Sequence, residues 1–351
     1  MICSRSCQKL RLLNRVIMIK VADIFQEKIY GSEEYKQMHK KRPSFPIVVD
    51  IEPTNACNLD CIFCQRQVMK RPLKILPFEL YKNIIDEISN HESTSVRFSG
   101  WGEPTLHPKI VDFVSYARKK GVLTHLTTNG TLLDSKLSYK LLKADLNKIK
   151  MSLQGLNEAE YNRMRRPKND EDPRCGYKNI TRNMEEFIRI RNELNTPCHI
   201  QVSVSMLKKE QENLSGQQAF YDYWYPKVDS IWGLGKVGVY GGKPLLTSFQ
   251  RVKDFGKISE KDLAQGRPLR VADVNKGKKC DELYNKISIG SDGAMKACCD
   301  DADNNLVVGW IGKQTIKEVW DGKILRKLRE NIESNNPKRV PKFCLNCDNY
   351  F

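Results

Sequence analysis

The sequence predicts an α/β fold with a parallel sheet, followed by a small α+β unit. Three observations carry this. Six short apolar strands alternate with helical stretches between residues 47 and 235; the alternation is lost over residues 236–279; from residue 280 a hairpin pattern and one helix replace it. Repeated alternation of this kind implies parallel strands joined by crossover helices, as an open doubly wound sheet or as part of a barrel. Six units are too few for a complete eightfold barrel. Residues 47–52 (IVVDIE) form a strand that runs directly into a cysteine-rich loop. In 78–89, Leu80, Ile84, Ile85 and Ile88 recur at helical spacing. Residues 95–99 (SVRFS) are the second strand, and 109–120 an amphipathic helix stopped by Gly121. The third strand is 122–128, Asp134 starts a helix running to about Lys143, and 148–153 (KIKMSL) is the fourth strand. A long helix at 177–194 carries Ile180, Met184, Phe187, Ile188 and Ile190 on or near one face. Strands at 199–206 and 228–234 complete the set. Residues 236–279, rich in Gly, Lys and Pro, read as a linker or active-site loops. After Cys280, residues 287–289, a Ser291-Asp292-Gly293 turn and 294–298 form a hairpin, and 315–332 one helix. The expected division is therefore 1–46, an N-terminal extension; 47–235, the α/β unit; 236–279, loops; and 280–351, the small unit.

Composition excludes several classes. The chain has 351 residues, 40% of them hydrophobic, enough for a sizeable core. No run of 18 uncharged apolar residues is present, so no membrane span is expected. The basic first 20 residues lack the apolar core of a signal peptide. Twelve cysteines in a long chain without an export signal fit reduced, cytoplasmic, metal-holding thiols better than a disulfide scaffold. The formal charge of +17 favours acidic partners, such as a phosphorylated substrate or an acidic electron donor of the flavodoxin or ferredoxin type, or else is a solvated lysine-rich surface. A metal-binding nucleic-acid module is the non-enzyme alternative, but no nucleic-acid motif supports it.

Cys57, Cys61 and Cys64 have the spacing C-x3-C-x2-C. Thiolates suit zinc or iron–sulfur clusters, and a structural zinc site closes with four ligands. Asn58 and Asp60 are poor companions for three thiolates. A cubane cluster can be held by three cysteines with one iron left open. With Phe63 before the third cysteine, the loop resembles the radical S-adenosylmethionine (radical SAM) superfamily. Ser99-Gly100-Trp101-Gly102-Glu103-Pro104 resembles that family's Gly-Gly-Glu-Pro motif, with Trp101 splitting the glycines; Thr128-Asn129-Gly130 and then Ser152 and Gln154 close the third and fourth strands. The resemblance covers roughly residues 47–235 and implies a partial (β/α)6 TIM-like barrel with its site at the strands' C-terminal ends. It further implies a 4Fe–4S cluster on the three cysteines, and S-adenosylmethionine beside Phe63, Gly100, Gly102, Glu103, Asn129, Ser152 and Gln154. The implied chemistry is reductive cleavage to a 5′-deoxyadenosyl radical that abstracts hydrogen from substrate. Asn129 also suits a plain turn, and His107 reads as packing or capping.

Cys280-x17-Cys298 and Cys344-x2-Cys347 offer four more thiolates. Their spacing alone allows zinc or a four-thiolate cluster. Beside the barrel motifs, the segment is similar to the SPASM extension of radical SAM enzymes, or its shorter twitch form, which implies one auxiliary 4Fe–4S cluster on Cys280, Cys298, Cys344 and Cys347. The twitch form is expected because no further cysteines follow before Phe351. Cys299 is the candidate catalytic hydrogen-atom donor, with Cys175 second, although a buried bystander is the ordinary role of a free thiol. Arg163, Arg165 and Arg166 could hold a carboxylate or phosphate. The reaction expected is oxidation or epimerisation of a small polar molecule, a sugar, cyclitol or activated sugar. The alternative is a radical SAM peptide maturase forming crosslinks or thioethers, against which the 46 residues before the first strand leave little room for a peptide-recognition domain.

Overall fold

In a computed structural model, residues 42–232 and 280–345 are described, less 62–63, 65, 67–68, 92–93, 166, 168–171, 205–212 and 335. Phe63, Arg166, Cys347 and the 236–279 loops therefore lie outside the described residues. Strands β1 (Val48–Ile51), β2 (Ser95–Phe98), β3 (Leu123–Thr128), β4 (Lys148–Ser152), β5 (His199–Ser203) and β6 (Ser230–Trp232) follow one another in parallel. Between them run α1 (Phe78–Ile88), α2 (Ile110–Lys119), α3 (Ser135–Lys143), α4 (Glu158–Met164), α5 (Tyr177–Glu193) and α6 (Leu214–Trp224). Asp134 caps α3 by accepting from the Leu137 amide at 2.7 Å, and Gly121, at φ 77°, ends α2 as expected.

The small unit is not a separate sheet. After α7 (Asp281–Asn285), β7 (Lys286–Ile289) pairs in parallel with β1, and β8 (Ala294–Lys296) and β9 (Val307–Trp310) follow antiparallel. The result is one open sheet of order β6-β5-β4-β3-β2-β1-β7-β8-β9. The helix expected over 315–332 is two, α8 (Ile316–Trp320) and α9 (Lys323–Glu333). Gly322 turns the chain between them, extended at φ −66°, ψ 158°, and so close that a Cβ would stand 2.8 Å from the Glu318 carbonyl oxygen. The short α10 is Lys342–Leu345.

The strands alternate in chemistry. Val49, Ile51, Val96, Phe98, Leu126, Ile149, Met151, Ile200 and Val202 are buried in the core with the inner faces of the helices. The intervening residues point to the other face. There the register aligns Ser288, Asp50, Arg97, His125, Lys148 and His199 in one polar row across six strands. Burial, then the neighbouring Lys148 and Arg97, hold His125 well below the ordinary imidazole range; burial and Lys148 push His199 down to about 4. Both rings are therefore neutral at physiological pH.

Candidate functional site

The site begins where β1 ends. Glu52, 3% exposed, accepts from Arg71 through both carboxylate oxygens at 3.0 Å, from the Trp101 amide at 3.1 Å, and from the amide and hydroxyl of Ser291 at 3.0 and 3.1 Å. Burial raises this carboxyl, but Arg71 outweighs it and the net shift is downward. The pair pins together the two ends of the cysteine loop. Asn55 reinforces it, donating to the Pro72 carbonyl at 2.9 Å and accepting from the Lys74 amide at 2.7 Å. Inside this clasp, Cys57, Cys61 and Cys64 are partly buried, and the Cys64 amide donates to the Cys61 carbonyl at 3.0 Å. Burial and nearby Glu103 push the Cys57 thiol up to about 12, and burial pushes Cys64 up to about 11 and Cys61 in the same direction. Thiols gathered where none ionises alone are a donor set that a cationic centre would relieve.

The β2 loop presses on this one. A Cβ at Gly102 would lie 2.0 Å from the Thr54 carbonyl oxygen, and one at Gly100, at φ 145°, would lie 2.7 Å from Glu52 Cγ. Both positions need glycine for close approach. Glu103 accepts four bonds from the protein: the Thr105 amide at 3.0 Å and hydroxyl at 2.6 Å, the Thr128 hydroxyl at 2.7 Å and the Asn129 amide at 2.7 Å. Its carboxylate thus braces the end of β3 against the β2 loop. Asn129 donates to Asn58 Oδ1 at 3.0 Å, approaches Cys57 Sγ at 3.9 Å, and accepts from the Thr131 amide at 2.9 Å, so it is both turn former and neighbour of the cysteine loop. His107 is spent on packing, at 3.0 Å from the Leu76 carbonyl oxygen.

Three groups at or beyond the C-terminal end of β4 keep hydrogen-bonding capacity in hand, and one of them, Arg165, acts on the cysteine loop. Arg165 is 5% exposed, its Nε and Nη1 have no partner, and its charge acts on Cys61 and Cys64. Gln154 Oε1 is buried and unpartnered, and Ser152 sits beside Ser203, their hydroxyl oxygens 3.5 Å apart. Cys175 is also here: its thiol donates to the Asn58 carbonyl at 3.8 Å, and burial holds it up at about 11.

Of the second cysteine set, Cys280 stands just before α7, Cys298 just after β8 and Cys344 in α10. Cys280 and Cys298 are buried and Cys344 partly so, and among the described residues no cysteine is in a disulfide. The loop after Cys298 is built on Asp301, fully buried, which accepts from the Asn305 and Leu306 amides at 2.9 and 2.7 Å. This loop touches the first site. Arg71 Nε donates to the Ala302 carbonyl, and Asp303 accepts from the Lys70 and Arg71 amides at 2.6 and 3.1 Å. Glu52, Arg71 and Asp301 escaped the sequence reading, for a buried pair 19 residues apart follows no local pattern.

Comparison with known proteins agrees with this geometry. Residues 51–207 match the radical SAM superfamily model, and residues 280–348 match the SPASM iron–sulfur cluster-binding domain. The chain carries a radical SAM domain and, C-terminal to it, a SPASM domain. Its cofactors are accordingly S-adenosylmethionine, a 4Fe–4S cluster and, for the SPASM domain, auxiliary iron–sulfur chemistry. Fe-coproporphyrin III synthase of Methanosarcina barkeri is 32% identical over 154 residues, 40% of this chain and 38% of the relative. PqqA peptide cyclase of Bradyrhizobium diazoefficiens is 31% identical over 156 residues, 44% of this chain and 38% of the relative. The matched stretch thus spans about two fifths of these curated relatives. Streptococcus suis SuiB bound to its precursor peptide SuiA shares the fold, with TM-score 0.59 and 18% identity over 90% of this chain and 72% of SuiB. Among the described residues of this radical SAM protein, no helix is long and apolar enough to cross a membrane.

Proposed function

We propose that this radical SAM protein is a peptide maturase. The likeness to PqqA peptide cyclase carries the reading and favours it over oxidation or epimerisation of a sugar or cyclitol. On this reading Cys57, Cys61 and Cys64 hold the cluster that binds S-adenosylmethionine, and Cys280, Cys298, Cys344 and Cys347 hold one auxiliary 4Fe–4S cluster. When bound, the first cluster and S-adenosylmethionine together supply a hydrogen-abstracting radical. The chain's own residues do the rest. Glu52 and Arg71 clasp the cysteine loop, Gly100 and Gly102 let the β2 loop close on it, and Glu103 fixes the β3 end. Arg165 is the uncommitted cation for the carboxylate of S-adenosylmethionine, with Asn129, Ser152 and Gln154 as neutral partners. The basic surface suits an acidic electron donor of the flavodoxin or ferredoxin type.

The test is mass spectrometry after incubating reconstituted, dithionite-reduced protein with S-adenosylmethionine and short peptides encoded near its gene. A modified peptide whose deuterium label passes into 5′-deoxyadenosine supports the reading. Deuterium passing from a labelled sugar or cyclitol, with every peptide unchanged, overturns it.

A further inference from the structure

A cavity of about 160 Å³ lies between the two cysteine sites, and no part of the function above uses it. It is lined by Gly100 and Trp101 of the β2 loop, by Cys299 and Asp300 after β8, and by Asp50 and Arg97 of the polar row. A water needs roughly 10–15 Å³ of such space, so the cavity accepts a group of side-chain size.

Its hydrogen-bonding capacity is unbalanced in a specific way. Asp50 is 5% exposed; Arg97 donates to its Oδ2, while its Oδ1 is buried without a partner. Trp101 Nε1 and Arg97 Nε are buried donors, likewise unpartnered. Such groups are costly when left unsatisfied, and an occupant that bonds them would recover that cost. Formal charge, by contrast, is balanced. Asp50, Glu52 and Asp300 line the space with Arg97 and Lys296, and Arg71 stands directly behind Glu52. The Asp50, Glu282 and Cys299 ligand atoms lie within 4.8 Å of one another, a spacing a cation could bridge, but Arg97 already occupies Asp50 and Lys286 pairs with Glu282 at 2.7 Å.

We propose that this cavity is a substrate subsite for a neutral group carrying at least one hydrogen-bond donor and one acceptor, with Asp50 Oδ1 accepting from it and Trp101 Nε1 and Arg97 Nε donating to it. The assignment of its occupant rests on the peptide reading, under which the group is a Ser, Thr, Asn or Gln side chain. A hydroxylated ring offers the same chemistry from a small molecule.

Saturation-transfer NMR on the full chain, with clusters reconstituted and S-adenosylmethionine present, tests this with N-acetyl amides of Gln, Ser, Leu, Asp and Lys and with myo-inositol. The Gln and Ser amides are expected to bind, and the Leu, Asp and Lys amides to bind several-fold more weakly. Asp50→Asn turns the open acceptor into a donor, because its remaining carbonyl must serve Arg97; it should weaken Gln-amide binding about tenfold, and Trp101→Phe should weaken it several-fold. Binding of myo-inositol but of no capped amino acid upholds the subsite and refutes the peptide reading. The subsite is overturned if the Leu amide binds as well as the Gln amide, if nothing binds, or if both variants bind as the wild type does.

Discussion

Replacing Glu52 by Gln keeps its shape and removes its charge, leaving the Arg71 guanidinium in a site where its side chain is 5% exposed. Among the described residues, the carboxylate then left nearest the Arg71 guanidinium is Asp292, at 3.8 Å. Breaking one half of a buried ion pair costs about 3–5 kcal/mol, because the partner's charge stays buried and uncompensated. Gln retains one oxygen for the Ser291 or Trp101 amide, which places the expectation at the lower end, about 3 kcal/mol. Arg71→Met should cost a similar amount. The double variant should cost less than the sum by about 2 kcal/mol, since neither charge then remains alone. Urea unfolding of the metal-free protein, with the slope required to match across variants, measures all three values. Losses under about 1 kcal/mol in both single variants, or strict additivity in the double variant, refute the clasp as the feature that fixes the cysteine loop.

Three further outcomes follow from the same geometry. Gly102→Ala places a Cβ on the Thr54 carbonyl, so the cysteine loop must shift; iron and acid-labile sulfide per reconstituted chain should fall by about half, against no change if the contact is harmless. Arg165→Gln should raise the Kd for S-adenosylmethionine about tenfold in equilibrium dialysis with iron content unchanged, and an unaltered Kd counts against its proposed role. In the metal-free protein, Cys57 and Cys64 titrate near 12 and 11, whereas in the unfolded chain they ionise near 9.0. Their contribution is therefore fully present below pH 9 and is lost as pH rises toward 11 and 12. The urea midpoint should drop between pH 8.5 and about 10.5, and drop less in Cys57→Ser/Cys64→Ser; equal drops contradict the assignment.

Much of this was legible in the residues. The three-cysteine spacing, the Gly102-Glu103-Pro104 stretch and the six strands are read in the chain in the same order as the elements of the fold. Their reasons were less visible. Gly102 reads as part of a motif, but its need for a bare Cα arises from the Thr54 carbonyl, which reaches it only in three dimensions. The alternation in KIKMS and HIQVS marks two strand faces, but that Asp50, Arg97, His125 and Lys148 meet in one polar row depends on the register between strands, which no single strand encodes. The pairing of β7 with β1 joins segments far apart in the chain, which no local period encodes. The break between α8 and α9 is masked in the sequence because apolar spacing continues across Gly322.

The central claim is that one cysteine set holds an open cluster and the other a closed one. Iron, sulfide and nucleoside analysis of a single reconstituted, dithionite-reduced sample tests it most directly. About eight iron and eight sulfide per chain are expected, falling to about four of each when Cys57, Cys61 and Cys64 are all replaced by Ala, with 5′-deoxyadenosine formed from S-adenosylmethionine only by the unaltered protein. Zinc without acid-labile sulfide, or 5′-deoxyadenosine formation that survives loss of these three cysteines, contradicts it.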